Sequence, residues 1–181
     1  TALPALPNLL GLACSNNLLT ALPTLPNSLG VLRCDNNQLN ILPTLPSSLR
    51  TLWCAGNQLT GLPILPNTLR YISCGYNQLA TLPDLPDDLQ EFWCNNNATL
   101  LCLPELKKIV SFRFDSTGIA CLPNYPQNNT SSIPPLSSVT LCGAFNSNSC
   151  PTFWNISGKI YNDANNNCLA DVNESGFPNF K

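Results

Sequence analysis

The chain has 181 residues, 44% of them hydrophobic and 10% charged, with a formal net charge of -2, eight Lys plus Arg, ten Cys, and neither His nor Met. That balance suits a folded chain with a real core, and without a basic stripe neither nucleic acid nor an anionic membrane surface is an expected partner. The lack of His removes histidine triads, His general bases and His zinc ligands. No run of about twenty apolar residues exists, so no membrane insertion is expected, and the first residues lack the pattern of a signal peptide. With no CxxC pair a structural zinc site is not expected either, whereas ten cysteines fit an exported chain. A chain that begins at Thr1 and contains no Met is expected to be a mature or excised piece of something longer.

From the first residues onward the chain repeats itself. Cysteines at Cys14, Cys34, Cys54, Cys74 and Cys94 are spaced by twenty residues. Aligned on them, the sequence reads Leu-Pro-x-Leu-Pro-x-x-Leu-x-x-Leu-x-Cys-x-x-Asn-x-Leu. Clear copies lie at 22–39, 42–59 and 62–79, the last with Ile72 for one leucine. A fourth at 82–97 carries Phe92 in the strand, the first starts at Leu3 one residue short, and a last one runs from Leu103 through Ile109, Phe112, Phe114, Thr117 and Ile119. Six coils with a fixed period of this length predict a solenoid, in which each unit buries its apolar face only by stacking on its neighbours. Alternation places residues 32 and 34 on one face of a short strand and residues 31, 33 and 35 on the other. The paired prolines fix φ and remove backbone donors, so the returning limb is expected to be extended rather than helical.

Over residues 3 to 122 the repeat resembles the leucine-rich repeat family, specifically its short bacterial class with the LPxLPxxL segment found in secreted effector proteins. The resemblance implies a solenoid with a short parallel β-sheet on the concave face and an extended, irregular convex side. It also implies that Asn17, Asn37, Asn57, Asn77 and Asn97 form an inward amide ladder. The regular cysteine takes the inward strand position, where a small apolar side chain packs against its counterparts above and below. Neighbouring strands about 4.8 Å apart would allow a disulfide by distance, but side-by-side Cβ vectors make its geometry poor. The five ladder cysteines are therefore expected to be buried, reduced and inert.

Past the regular coils, Cys102 and Cys121 each precede Leu-Pro at the same place in successive coils, and Cys142 and Cys150 bracket a short polar loop. Both pairs are candidate disulfides, with free thiols as the alternative, and Cys168 has no partner left. The segment 123–153 shows no periodicity and reads as an irregular C-terminal cap over the open end of repeats 1–122. From Trp154 to Lys181 a strand-like "ISGKIY" precedes a loop whose oxygen side chains Asp163, Asn165, Asn167, Asp171 and Glu174 fall at positions one, three, five, nine and twelve. That spacing matches an oxygen-rich calcium loop. The stretch is also similar to the first strand and calcium loop of the B-type domains of bacterial surface adhesins, here a truncated β-domain over 154–181. By that resemblance the five side chains and the carbonyl of Leu169 would hold Ca2+. Cys168 stands where such loops carry glycine, and two neutral asparagines point to a weak site, with a Kd of about 10⁻⁴ to 10⁻³ M.

No catalytic constellation is present. The carboxylates Asp84, Asp87, Asp88 and Glu91 lie on a polar limb without an apolar pocket to split their pKa values, and read as a solvated face. The outward column Ala13, Arg33, Trp53, Ser73, Trp93 and Arg113 exposes two tryptophans about 10 Å apart by strand spacing. Ser73 stands between them, Tyr71 beside them, and Arg33 and Arg113 flank them. Aromatic walls with arginines suit a sugar ring or an extended peptide bearing acidic groups. The reading drawn from this is a non-enzymatic recognition module of a secreted or cell-surface bacterial protein, binding a protein or glycan on its concave face. A passive spacer and an effector-like protein-binding domain are the alternatives, and the oligomeric state is left open.

Overall fold

A computed structural model describes residues 3–6, 8–142 and 150. The chain is a solenoid of stacked parallel strands. Seven strands form a single sheet in sequence order: β1 (Gly11–Ala13), β2 (Val31–Arg33), β3 (Thr51–Trp53), β4 (Tyr71–Ser73), β5 (Asp88–Trp93), β6 (Lys108–Arg113) and β7 (Ser131–Ile133). All neighbours pair in parallel, and each step in register is twenty residues, as in Leu12↔Leu32↔Leu52↔Ile72↔Phe92↔Phe112. The sequence period and the strand register are thus one quantity, and every position of the motif becomes a straight column across the coils.

The inward columns make the core. Leu32, Leu52, Ile72, Phe92 and Phe112 are almost wholly buried, as are Leu29, Leu49, Leu69 and Leu89 just before the strands and Leu39, Leu59 and Leu79 just after them. Cys14 to Cys94 form the expected ladder, reduced and buried. Burial pushes the thiols of Cys54, Cys74 and Cys94 up because the thiolate would lose its hydration, that of Cys74 to about 12. The next place in this column goes to Phe114, which stacks on Phe112 at 4.5 Å, and Phe112 in turn stacks on Phe92 at 5.5 Å.

The asparagine column solves the polar accounting of the turn that follows each strand. Asn57 donates through Nδ2 to the carbonyls of Cys54 at 3.0 Å and of Cys34, one coil back, at 3.1 Å, while its Oδ1 accepts from Leu39 N–H at 3.0 Å. Asn37, Asn77 and Asn97 repeat the pattern. No buried side-chain nitrogen or oxygen among the described residues lacks a hydrogen bond, as expected of a core whose turns run through its interior. The residue before each asparagine of the column has a left-handed backbone, φ 53–65° at Asn16, Asn36, Gly56, Tyr76 and Asn96, and Ser116 before Thr117 keeps it at φ 55°. Asparagine and glycine tolerate that conformation most readily.

Asn17, expected in the inward ladder, is exposed because no coil stands before its own among the described residues, and its amide bonds carbonyls of its own coil. At the C-terminal end the structure departs from the sequence expectations in two further places. Strand β7 lies inside the segment expected to be an irregular cap. Its side chains carry no apolar pattern; it forms because the open edge of β6 offers backbone partners, and Phe114 N–H donates to the carbonyl of Ile133 at 2.8 Å. Pro134 and Pro135 follow directly and stop the ladder.

The disulfides also pair differently. Cys102 bonds Cys150 and Cys121 bonds Cys142, in place of the expected Cys102 with Cys121 and Cys142 with Cys150. The cause lies in the backbone. A parallel bridge joins Leu122 to Leu141, with Leu122 N–H on the Thr140 carbonyl and Cys142 N–H on the Leu122 carbonyl, and this carries Cys142 alongside Cys121 at a Cα separation of 5.0 Å. Each bridge thereby ties a coil to chain that follows it, where two cysteines in successive coils would stand side by side.

Candidate binding face

The shared register gathers the candidate residues into two outward columns on the concave face. One runs Ala13, Arg33, Trp53, Ser73, Trp93, Arg113 and ends at Ile133; the other runs Gly11, Val31, Thr51, Tyr71, Glu91, Ser111 and Ser131. Trp93 is 36% exposed and Tyr71 39%, whereas Trp53 is half-buried. Ser73 separates the two tryptophans along the column, so a small hydroxyl side chain lies between two indoles.

The side chains do not all point freely outward. The Arg33 guanidinium lies over the Trp53 ring, 4.2 Å from its centroid, a favourable contact of a delocalised cation with an aromatic face. The Trp93 indole N–H donates to Ser111 Oγ at 3.4 Å, which turns that ring toward β6. Arg113 closes on Asp115, two residues on and just past the end of β6, with Nε 2.7 Å from the carboxylate. Hydrogen bonding and charge raise the Arg113 pKa and lower that of Asp115. Arg113 therefore does not serve as an open flank of the tryptophan pair, in contrast to the sequence expectation, because its fork is already occupied.

Ser111, Asp115 and Asp35 were not singled out from the sequence, yet they shape this face. Asp35 accepts from Ala55 N–H at 3.1 Å and from the Ser15 hydroxyl at 3.1 Å, tying three coils together. The signal for the two aspartates was present: in Arg33-x-Asp35 and Arg113-x-Asp115 period-two alternation puts Arg and Asp on the same side.

The acidic stretch lies elsewhere and is partly neutralised. Asp87 pairs with Lys107 and Asp88 with Lys108, one coil apart, all largely exposed. Exposed pairs of this kind add little stability. The expected calcium ligands Asp163, Asn165, Asn167, Leu169, Asp171 and Glu174 lie outside the described residues. Among the described residues no group of three or more His, Cys, Asp or Glu could hold a metal ion, and no helix is long and apolar enough to cross a membrane.

Comparison with known proteins agrees with this architecture. Residues 47–87 match the family described as Leucine Rich repeats (2 copies). The solved structure of YopM from Yersinia enterocolitica WA-314 is 31% identical, with a TM-score of 0.61 over 72% of this chain and 34% of that one. A second solved structure, a leucine-rich effector protein YopM from Yersinia pestis, is 27% identical over 77% of this chain and 56% of that one, with a TM-score of 0.41. The chain thus spans about a third of the first protein's length and just over half of the second's. No curated protein matches it.

Proposed function

We propose that this chain is a non-catalytic recognition module of an exported bacterial protein, and that it binds a protein partner on the concave sheet. The observation that carries the proposal is the column Arg33, Trp53, Ser73, Trp93, set in register on four adjacent strands with its aromatic and cationic groups accessible. Large aromatics and arginine dominate the energetics of protein interfaces, and solenoids commonly bind along such extended concave surfaces. The match of residues 47–87 to leucine-rich repeats and the likeness to YopM from Yersinia enterocolitica support the same reading. Two disulfides at the C-terminal end of the repeats fit an oxidising compartment.

The test is selection from a random peptide library on the full chain, with a glycan array run in parallel. Peptides that bind the native chain and lose affinity for Trp53→Ala and Trp93→Ala variants of unchanged melting temperature support a peptide-binding concave face. Selected peptides that bind both variants with full affinity place recognition elsewhere. Capture of glycans alone assigns the face to sugars.

A further inference from the structure

Two strands of the concave face end in the same Arg-x-Asp spacing, Arg33 closing β2 with Asp35 beyond it and Arg113 closing β6 with Asp115 beyond it, at equivalent places of the repeat. They resolve it differently. On β6 the arginine closes on its own aspartate at 2.7 Å. On β2 the aspartate is occupied by Ala55 N–H and the Ser15 hydroxyl, and the guanidinium lies instead 4.2 Å over Trp53.

The neighbouring strand makes the difference. Arg33 stands in register with Trp53, an aromatic face, whereas Arg113 is followed by the aliphatic Ile133. Contact with an aromatic ring uses the charge of the guanidinium and gives its N–H donors no lone-pair acceptor. Arg33 is exposed, and among the described residues it has neither an ion pair nor a hydrogen-bond acceptor for its side chain. The guanidinium is therefore held at Trp53 with its N–H donors free, a preorganised state in which a carboxylate binds two-pronged at reduced entropic cost.

The charge distribution points the same way. Up to residue 80 the chain carries Arg33, Arg50 and Arg70 against Asp35 alone, three minus one, or +2. From 81 to 122 it carries Lys107, Lys108 and Arg113 against Asp84, Asp87, Asp88, Glu91, Glu105 and Asp115, three minus six, or -3. At long range an acidic group is drawn to the half of the chain that holds Arg33, and on the concave face itself Glu91 lies toward the other end.

We infer that Arg33, held on Trp53, is a carboxylate receptor, and that the occupant of the concave face is an extended acidic protein segment that sets an Asp or Glu side chain on Arg33 and an apolar side chain on Trp93. This rests on the proposal that the concave face is the binding site, and adds the chemistry of what it selects. The distance adds a sequence rule. Arg33 and Trp93 are three strand steps apart in one column, roughly 14 Å at about 4.8 Å per step, which an extended peptide crosses in about four residues.

The experiment uses the peptides selected on the full chain, measured by fluorescence anisotropy against the native protein, Arg33→Gln, Arg33→Lys and Arg113→Gln. Selected peptides are expected to carry an Asp or Glu about four positions from an apolar residue. Arg33→Gln should weaken them about tenfold or more, Arg33→Lys should recover only part of that loss, and Arg113→Gln should leave affinity within about twofold. Changing the peptide's acidic residue to its amide should cost as much as Arg33→Gln, and the two changes together no more than either alone. Peptides that need Trp93 but bind Arg33→Gln as tightly as the native chain overturn this inference and leave the binding face standing. Failure to select any peptide, or binding indifferent to Trp53 and Trp93, overturns both.

Discussion

The side-chain amide of Asn57 reaches one coil back and donates to the carbonyl of Cys34 at 3.1 Å. The same amide nitrogen serves Cys54 in its own coil, and the amide oxygen takes the Leu39 N–H, so one side chain satisfies backbone groups of two coils. Replacing it with Ala leaves the Leu39 N–H buried without its acceptor, while the Cys34 and Cys54 carbonyls keep the amides of Asn37 and Asn77. Asn57→Ala should cost about 1–3 kcal/mol, the penalty of one unsatisfied buried group. Asn17 is exposed and its amide bonds only carbonyls of its own coil, so Asn17→Ala should cost less than about 1 kcal/mol. Urea unfolding of the two variants checks the ratio; equal losses would show that the inter-coil bonds contribute nothing special.

The cysteine ladder is expected to be a packing device. Cys54 is fully buried, so Cys54→Val should cost less than about 1.5 kcal/mol, as a near-isosteric apolar swap does. Cys54→Asp buries an unpaired charge and should prevent folding. Thiol counting with a fast alkylating reagent should find the five ladder thiols slow to react in the native protein and rapid in denaturant. Rapid labelling of all five in the native state would refute the ladder's burial.

Alkaline titration reads the same ladder. The folded thiols of Cys54, Cys74 and Cys94 hold their protons more tightly than unfolded ones, whose ordinary value is 9.0. Between the two values the folded state binds more protons than the unfolded one, so its stability is intact below about pH 9 and falls as pH rises further. Each such thiol removes about 1.4 kcal/mol per pH unit in that window. Denaturant midpoints measured from pH 7 to pH 11 should decline, and the decline should be shallower by one thiol's share in Cys54→Val. Parallel declines would show that Cys54 does not titrate in the unfolded state alone.

The disulfide connectivity has its own test. A non-reducing peptide map should yield the cross-links Cys102 to Cys150 and Cys121 to Cys142. Removing either bridge by paired Cys→Ala substitution should lower stability by about 2–5 kcal/mol. Recovery of a Cys102–Cys121 peptide would restore the pairing that the sequence alone suggests.

Most of the fold was legible because the repeat turns sequence spacing into geometry without loss. A period of twenty residues is also the strand register, so the burial of Leu32 and Cys34 and the outward column through Trp53 and Trp93 could be read by alternation alone. What escaped depends on relations between columns or on chain outside the period. The free state of Arg33 and the occupied state of Arg113 follow from the partners Trp53 and Ile133 on the next strand, and Ile133 belongs to a strand with no apolar pattern to reveal it. Likewise the true partner of Cys121 is set by a bridge between Leu122 and Leu141, a contact made by backbone atoms and invisible to side-chain spacing.

The Cys102–Cys150 bridge closes a span of 48 residues at one end of an array whose earlier coils are joined only by hydrogen bonds and packing. Under tension applied at the two ends of the chain, that asymmetry makes the molecule a one-sided spring. Coils before Cys102 can peel away singly, each releasing about 70 Å of contour at about 3.5 Å per residue, while the bridged span stays closed. A thiol reductant would then appear in force spectroscopy as a gain in length.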